Sequence, residues 1–347
     1  MRALPLEKVD LPGKVRGLLD VHRADLRSRT YAIAAVNPPT APRDVHTVTA
    51  VDGARLRVHV YGPADAPAIV LVHGWTCAIE YWNAQINAFA DEYRVIAYDQ
   101  RGHGESELGT ADLTMDLLAD DLVAVLDATL ARGERAVLVG HSLGGMTLQA
   151  WAGRYPEQVA QRAGAVLLTN TAPGLLVGET FVVPFFNRPR VRLRRKIALP
   201  LLLGRYGLGM PIVFPPLPPV KWLFARQIMS LAARRDLIDY SMAIVRSCRA
   251  SVRARFGLLL AEMDLGESAR NLVVPTTILS GSDDFMTPPV HAERIAAMLT
   301  EVGSFVRHEV LATGHLGNVE MFERFNEELA RVLDAVASDE ESVEAAG

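Results

Sequence analysis

The chain reads as short apolar runs separated by turns and by segments with helical periodicity. Residues 45–51 and 55–61 alternate apolar and polar positions on either side of Asp52-Gly53, which predicts a hairpin. Near-continuous aliphatic runs follow at 68–72, 94–98, 136–139 and 165–168, and again at 276–279 and 305–311. Runs of that length suit strands buried on both faces of a parallel sheet. Helical segments lie between them. The clearest is 112–130, where Leu117, Leu118, Leu122, Val125 and Leu126 share one stripe. Alternating strands and helices predict an open α/β fold with a mostly parallel central sheet flanked by helices.

The rhythm breaks between 171 and 265, where prolines are frequent and no strand pattern is visible. This stretch is expected to be an inserted, mainly helical cap. It divides a core of residues 46–170 and 266–337. Residues 1–45, ending in Pro38, Pro39 and Pro42, are expected to form an N-terminal extension lying on the main domain. The acidic, small-residue-rich end, 338–347, is expected to be a disordered tail.

Composition narrows the class. Of 347 residues, 50% are hydrophobic and 22% charged, which is globular usage. The formal net charge is −4, so whole-chain charge predicts no nucleic-acid binding, and no base-reading element is visible. Cys77 and Cys248 alone do not indicate a disulfide framework. The first 15 residues lack the apolar centre of a secretory signal, and no segment has the ~20 apolar residues of a spanning helix. The expected location is cytoplasmic. Charge is uneven, however. Between 170 and 260 there are 15 basic residues and 3 acidic ones. A basic run at 188–196 lies among apolar patches at 181–186, 199–203 and 212–214, so peripheral contact with an anionic membrane is an expected partner interaction of the cap.

The chemistry is concentrated at the ends of the predicted strands. The strand at 136–139 leads into Gly140-His141-Ser142-Leu143-Gly144, and a helical segment follows to Tyr155. Strand, Gly-x-Ser-x-Gly and helix together form the context of a nucleophile elbow. A serine there needs a base to take its proton. Asp284 follows the strand ending near Leu279, and His315 stands 31 positions later, beyond the strand at 305–311. Both occupy the strand-end edge where open α/β sheets place their sites. Asp283 is the alternative acid.

These motifs resemble the α/β-hydrolase superfamily, in its cap-bearing serine esterase and lipase branch. Gly140 to Gly145 resembles the lipase form of the elbow. Gly281-x-x-Asp284-x-x-x-Pro288 matches the family's acid turn and selects Asp284, and Gly314-His315 matches its base loop. The resemblance covers about 46–170 and 265–335. Some relatives carry the acid one strand after the elbow; here that place reads Thr169-Asn170-Thr171, without a carboxylate. His73-Gly74-Trp75 is similar to the family's oxyanion loop, which implies backbone N–H donors from Trp75 and Leu143. Asp99 to Ser106 resembles a supporting loop. Serine at the nucleophile position disfavours epoxide and halide chemistry.

The resemblance implies a Ser142–His315–Asp284 triad and an acyl-enzyme intermediate, with neither cofactor nor metal. The expected substrate is a small-molecule ester, with an apolar or lipid-like acyl group suggested by the cap. Thioesterase, lactonase, carbon–carbon bond hydrolase and cofactor-free perhydrolase chemistry use the same triad, and a non-catalytic binding role is a further alternative.

Overall fold

The structure is a computed structural model that describes residues 11–179 and 215–346. The basic run at 188–196 and the apolar patches at 181–186, 199–203 and 212–214 lie outside the described residues.

Eight strands form one sheet: β1 (Arg43–Thr49), β2 (Arg55–Tyr61), β3 (Ala68–Val72), β4 (Arg94–Tyr98), β5 (Ala136–His141), β6 (Ala163–Thr169), β7 (Thr276–Gly281) and β8 (Phe305–Leu311). Their spatial order is β1-β2-β4-β3-β5-β6-β7-β8. Both pairings of β2 are antiparallel, and every pairing from β4 to β8 is parallel. The mostly parallel sheet predicted from the aliphatic runs is present, with the 45–61 hairpin as its antiparallel edge.

The central strands are buried because each feeds two cores. Val70 and Val72 of β3 join one hydrophobic cluster, while Ile69 and Leu71 join the other. In β5, Leu138 goes to the first and Val137 and Val139 to the second. Side chains alternate across a strand, so an unbroken aliphatic run supplies both faces at once.

Helices α1 (Leu11–Ser28), α2 (Asn83–Phe89), α3 (Met115–Thr129), α4 (Leu143–Arg154) and α5 (Pro156–Arg162) precede the expected cap. Thr114 caps α3 by accepting the Leu117 N–H at 3.1 Å, which sets its start three residues inside the predicted segment. Between β6 and β7 come a one-turn helix at Leu176–Glu179, then α6 (Pro218–Ile228), α7 (Arg235–Ser247) and α8 (Ala250–Glu262). No strand occurs there among the described residues, although Gly174 and Asp264 form an isolated bridge across its base.

Helix α1 buries Leu26 in the second hydrophobic cluster and also packs against α7, where Arg23 donates to the Ser247 carbonyl at 3.3 Å. Residues 338–346 are not a disordered tail but continue α10, the last long helix (Phe322–Ala346), which follows α9 (Pro289–Glu301). Glu and Ala have high helix propensity. Ser338 and Ser342 also fold their hydroxyls back onto carbonyls one turn earlier, at 2.8 and 2.7 Å.

Candidate functional site

Five loops converge at the carboxyl edge of the parallel strands. They follow β3 (His73 to Trp75), β5 (Ser142), β6 (Asn170), β7 (Asp284) and β8 (His315). Parallel pairing points all five strand ends the same way, so residues up to 242 positions apart in sequence share one edge.

Ser142 stands between β5 and α4 with φ 52° and ψ −116°, a conformation costly for a side chain other than glycine's. The turn is held on both sides. The Ser142 N–H donates to the Thr169 carbonyl at 3.0 Å, and its carbonyl accepts from the Thr171 hydroxyl at 2.8 Å. The flanking glycines are needed sterically. A methyl on Gly144 would lie 2.0 Å from the Val72 carbonyl oxygen, and one on Gly140 would lie 2.7 Å from the Gly145 backbone. The strained turn thus sits where β5, β3 and α4 pack backbone to backbone.

Asp284 and His315 form the most completely bonded pair in the site. Asp284 Oδ2 lies 2.9 Å from His315 Nδ1, and both side chains are buried. Asp284 Oδ1 accepts the Met286 and Thr287 N–H groups at 2.8 and 2.9 Å, while Oδ2 also accepts the Thr287 hydroxyl at 2.7 Å. Burial pushes this carboxyl up, but the facing His315 ring and these hydrogen bonds outweigh it and hold the group below the usual carboxylate range. An ionised Asp284 accepts only, so the His315 proton resides on Nδ1 and Nε2 carries the free lone pair. Asp283, the alternative acid, is exposed.

Asn170 is a residue whose part in this arrangement was not foreseen. At φ 47° its amide donates to Asp284 Oδ2 at 2.9 Å and to the Gly314 carbonyl at 3.2 Å. The position that holds an acid in some relatives here supports the acid contributed by the next strand. The signal was present as an amide at that place, but sequence alone does not show that β6 and β7 are neighbours.

His141 links the elbow to the His315 loop. Its Nε2–H donates to the His315 carbonyl at 2.9 Å, and the two rings lie 5.0 Å apart. Burial and the nearby His315 lower its pKa to about 3, so the ring is neutral. His73 and His103 are also buried and bonded to backbone: His73 Nε2 accepts the Gln100 N–H at 3.0 Å, and His103 Nε2 accepts the Thr76 N–H at 3.2 Å. These histidines shape the loops through their bonds to backbone.

Gly74 brings the β3 loop against the elbow; a methyl there would lie 2.6 Å from His141 Nδ1 and 3.1 Å from Ser142 Cβ. Trp75, next in the chain, is half-buried and donates its indole N–H to the Arg253 carbonyl of α8 at 3.2 Å. Leu143 is fully buried at the first position of α4. The backbones of 74–75 and 142–143 therefore flank the serine. The supporting loop is built as expected. Arg101 is buried and binds Asp121 at 2.6 and 2.7 Å and Asp52 at 3.0 Å, while Asp99 accepts the Ile79 N–H at 2.8 Å.

A central parallel sheet with a serine elbow and an acid–histidine pair on its carboxyl edge defines the α/β-hydrolase class. Comparison with known proteins agrees: the profile of the alpha/beta hydrolase family matches residues 69–329, and the chain belongs to that family. A bifunctional esterase/perhydrolase of Acinetobacter calcoaceticus is 39% identical over 131 residues, a match spanning 38% of this chain and 46% of that protein. A 3-oxoadipate enol-lactonase of Acinetobacter baylyi is 28% identical over 292 residues, 83% of this chain and 96% of the relative. Among solved structures, a thermophilic esterase from Thermogutta terrifontis superposes with a TM-score of 0.65 at 24% identity, covering 85% of this chain and 99% of that one, a likeness of fold. Hydrolase activity is the function these relationships support.

Proposed function

We propose that the protein hydrolyses carboxylic esters through an acyl-enzyme on Ser142. The Asp284–His315 contact at 2.9 Å carries this reading, because it dictates which imidazole nitrogen is free. His315 Nε2 takes the Ser142 proton as Oγ attacks the acyl carbonyl. Asp284 keeps the other ring proton on Nδ1 and stabilises the imidazolium that forms. The C–O bond to the leaving alcohol breaks as His315 returns the proton, and a water activated by the same nitrogen releases the acid. The Trp75 and Leu143 N–H groups receive the oxyanion. Gly74 beside Ser142 Cβ and Leu143 at a helix N-terminus support that assignment, since both backbones lie against the serine.

An apolar acyl group is the preferred substrate feature. It rests on the composition of 181–186, 199–203 and 212–214. Lactone opening is a second reading with the same steps, favoured by the enol-lactonase relative matched over 96% of its length. Basic residues of the cap would bring the protein to anionic surfaces; among the described residues no helix is long and apolar enough to cross a membrane.

A panel of p-nitrophenyl esters of increasing chain length, a lactone panel and fluorophosphonate labelling test the proposal. Turnover and labelling are expected with the native chain and lost in Ser142→Ala. Equal rates in both proteins would refute it.

A further inference from the structure

His315 is held from the cap side as well as from the acid side. Helix α6 ends at Ile228, whose carbonyl accepts the His315 backbone N–H at 2.8 Å. One residue earlier, the base loop presses on the same segment, and a methyl on Gly314 would lie 2.5 Å from Met229 backbone atoms. Glu320, at the end of the one-turn helix Gly317–Glu320, spans the junction. Its Oε1 accepts the Gly314 N–H at 3.1 Å and its Oε2 accepts the Ser230 N–H at 2.8 Å.

One carboxylate therefore joins the backbone of the base loop to the backbone just beyond α6. The two sides have different origins. Gly314 and His315 are placed by β8 and hence by the sheet, whereas Ile228 to Ser230 belong to the insertion between β6 and β7 and take no strand register from it. A bond between such parts transmits displacement of one to the other. Burial raises the Glu320 carboxyl above its ordinary value, and the hydrogen bonds from Ser230 and Gly314 oppose that rise.

We propose that the cap takes part in the chemistry by holding the base, and that Glu320 is the positioning residue that couples Ile228–Ser230 to His315. This rests on His315 being the base. The position of α6 then sets proton transfer for every substrate, including esters too small to reach the cap. Such coupling differs from a cap that only selects acyl chains, which would change KM with chain length and leave the base untouched.

The test compares the native protein with Glu320→Gln, Glu320→Ala and Ser230→Pro, using p-nitrophenyl acetate turnover, fluorophosphonate labelling rate and thermal melting. Glutamine keeps one acceptor oxygen. Proline removes the donor at the other end, and Met229 already has the extended conformation (ψ 178°) required before proline. In folded Glu320→Gln we expect kcat and the labelling rate to fall about tenfold together, the upper scale of one hydrogen bond, with KM within about twofold. Glu320→Ala should lose more. Because Ser230→Pro breaks the same bridge, Ser230→Pro with Glu320→Gln should cost no more than about twice the larger single loss.

Folded variants with native kcat and labelling, a change confined to KM, or single losses that multiply in the pair would each overturn the coupling. If the Glu320 variants do not fold, Ser230→Pro decides alone: native kcat in that protein overturns it and a tenfold loss supports it. Absence of labelling and turnover in the native protein would instead refute Ser142 and His315 as nucleophile and base.

Discussion

A methyl group on Gly281 would lie 2.2 Å from the carbonyl oxygen of Gly314. The turn that carries Asp284 and the loop that carries His315 are thus in backbone contact. The 2.9 Å between the two side chains is set by that contact together with the β7–β8 pairing.

Gly281→Ala should therefore act on activity more than its size suggests. Inserting a methyl into a packed contact costs about 1–3 kcal/mol, and here relief requires one loop to move away from the other. We expect a lower melting temperature and a fall in kcat of at least about tenfold with KM little changed. Native kcat would show that the contact relaxes without moving Asp284 from His315.

The choice of acid is separable by paired substitutions. Asp284→Asn leaves Oδ1 to accept the Met286 and Thr287 N–H groups but turns an NH₂ toward His315 Nδ1, forcing the ring into the wrong tautomer. The expected loss in kcat is about 10⁴. Asp283→Asn alters an exposed side chain and should leave kcat within about twofold of native. The reverse pattern in steady-state kinetics would move the acid to Asp283.

Arg27 of α1 should matter to the stability of the fold through Glu80. It donates to Glu80 Oε1 at 3.0 Å, which Arg57 also binds at 2.9 Å, and the Tyr240 hydroxyl donates to the Glu80 carbonyl. Burial alone would raise the Glu80 carboxyl, but Arg57 and Arg27 bring it down to about 2. Removing one partner of a buried carboxylate costs about 1–3 kcal/mol. Arg27→Ala should lower stability by that amount in urea unfolding; Arg27→Lys should restore little, since an ammonium cannot reproduce the guanidinium geometry. Full stability in Arg27→Ala would mean that Arg57 alone satisfies Glu80.

Acid should destabilise the fold well above the carboxylate range. Burial lowers His59 and His103 to about 4, His141 to about 3, and His73 well below its ordinary value. All four are depressed in the folded state, so below pH 6.5 the unfolded chain binds protons that the native one does not. Stability from these rings is complete above about 6.5 and lost as pH falls toward 4, at about 1.4 kcal/mol per pH unit for each histidine. Asp99 and Asp121, which burial raises to about 6, take up protons in the fold first and offset part of this loss below about pH 6. Unfolding midpoints measured from pH 7 to 4.5 should fall steeply from about 6.5. A flat profile down to pH 5 would show that these rings protonate without unfolding the protein.

Much of the architecture was legible because local pattern and environment agree. The aliphatic runs at 68–72 and 136–139 suited doubly buried strands, and they are β3 and β5. Gly140, Ser142 and Gly144 announced a tight turn because only glycine tolerates the backbone contacts beside that serine. Asp284 and His315 were findable from their places after strands and from family motifs. The end of the chain misled, since acidic composition alone does not reveal that 338–346 extend a helix begun at Phe322. Other relationships had no local signal. Asn170 reaches Asp284 across 114 positions, Arg27 reaches Glu80 across 53, and Glu320 reaches Ser230 across 90. Periodicity and turn chemistry record what one segment needs from its environment. Which distant groups supply it depends on strand order and on how the helices close over the sheet, so the serine elbow could be read along the chain, whereas the frame that aims its partners emerged only in three dimensions.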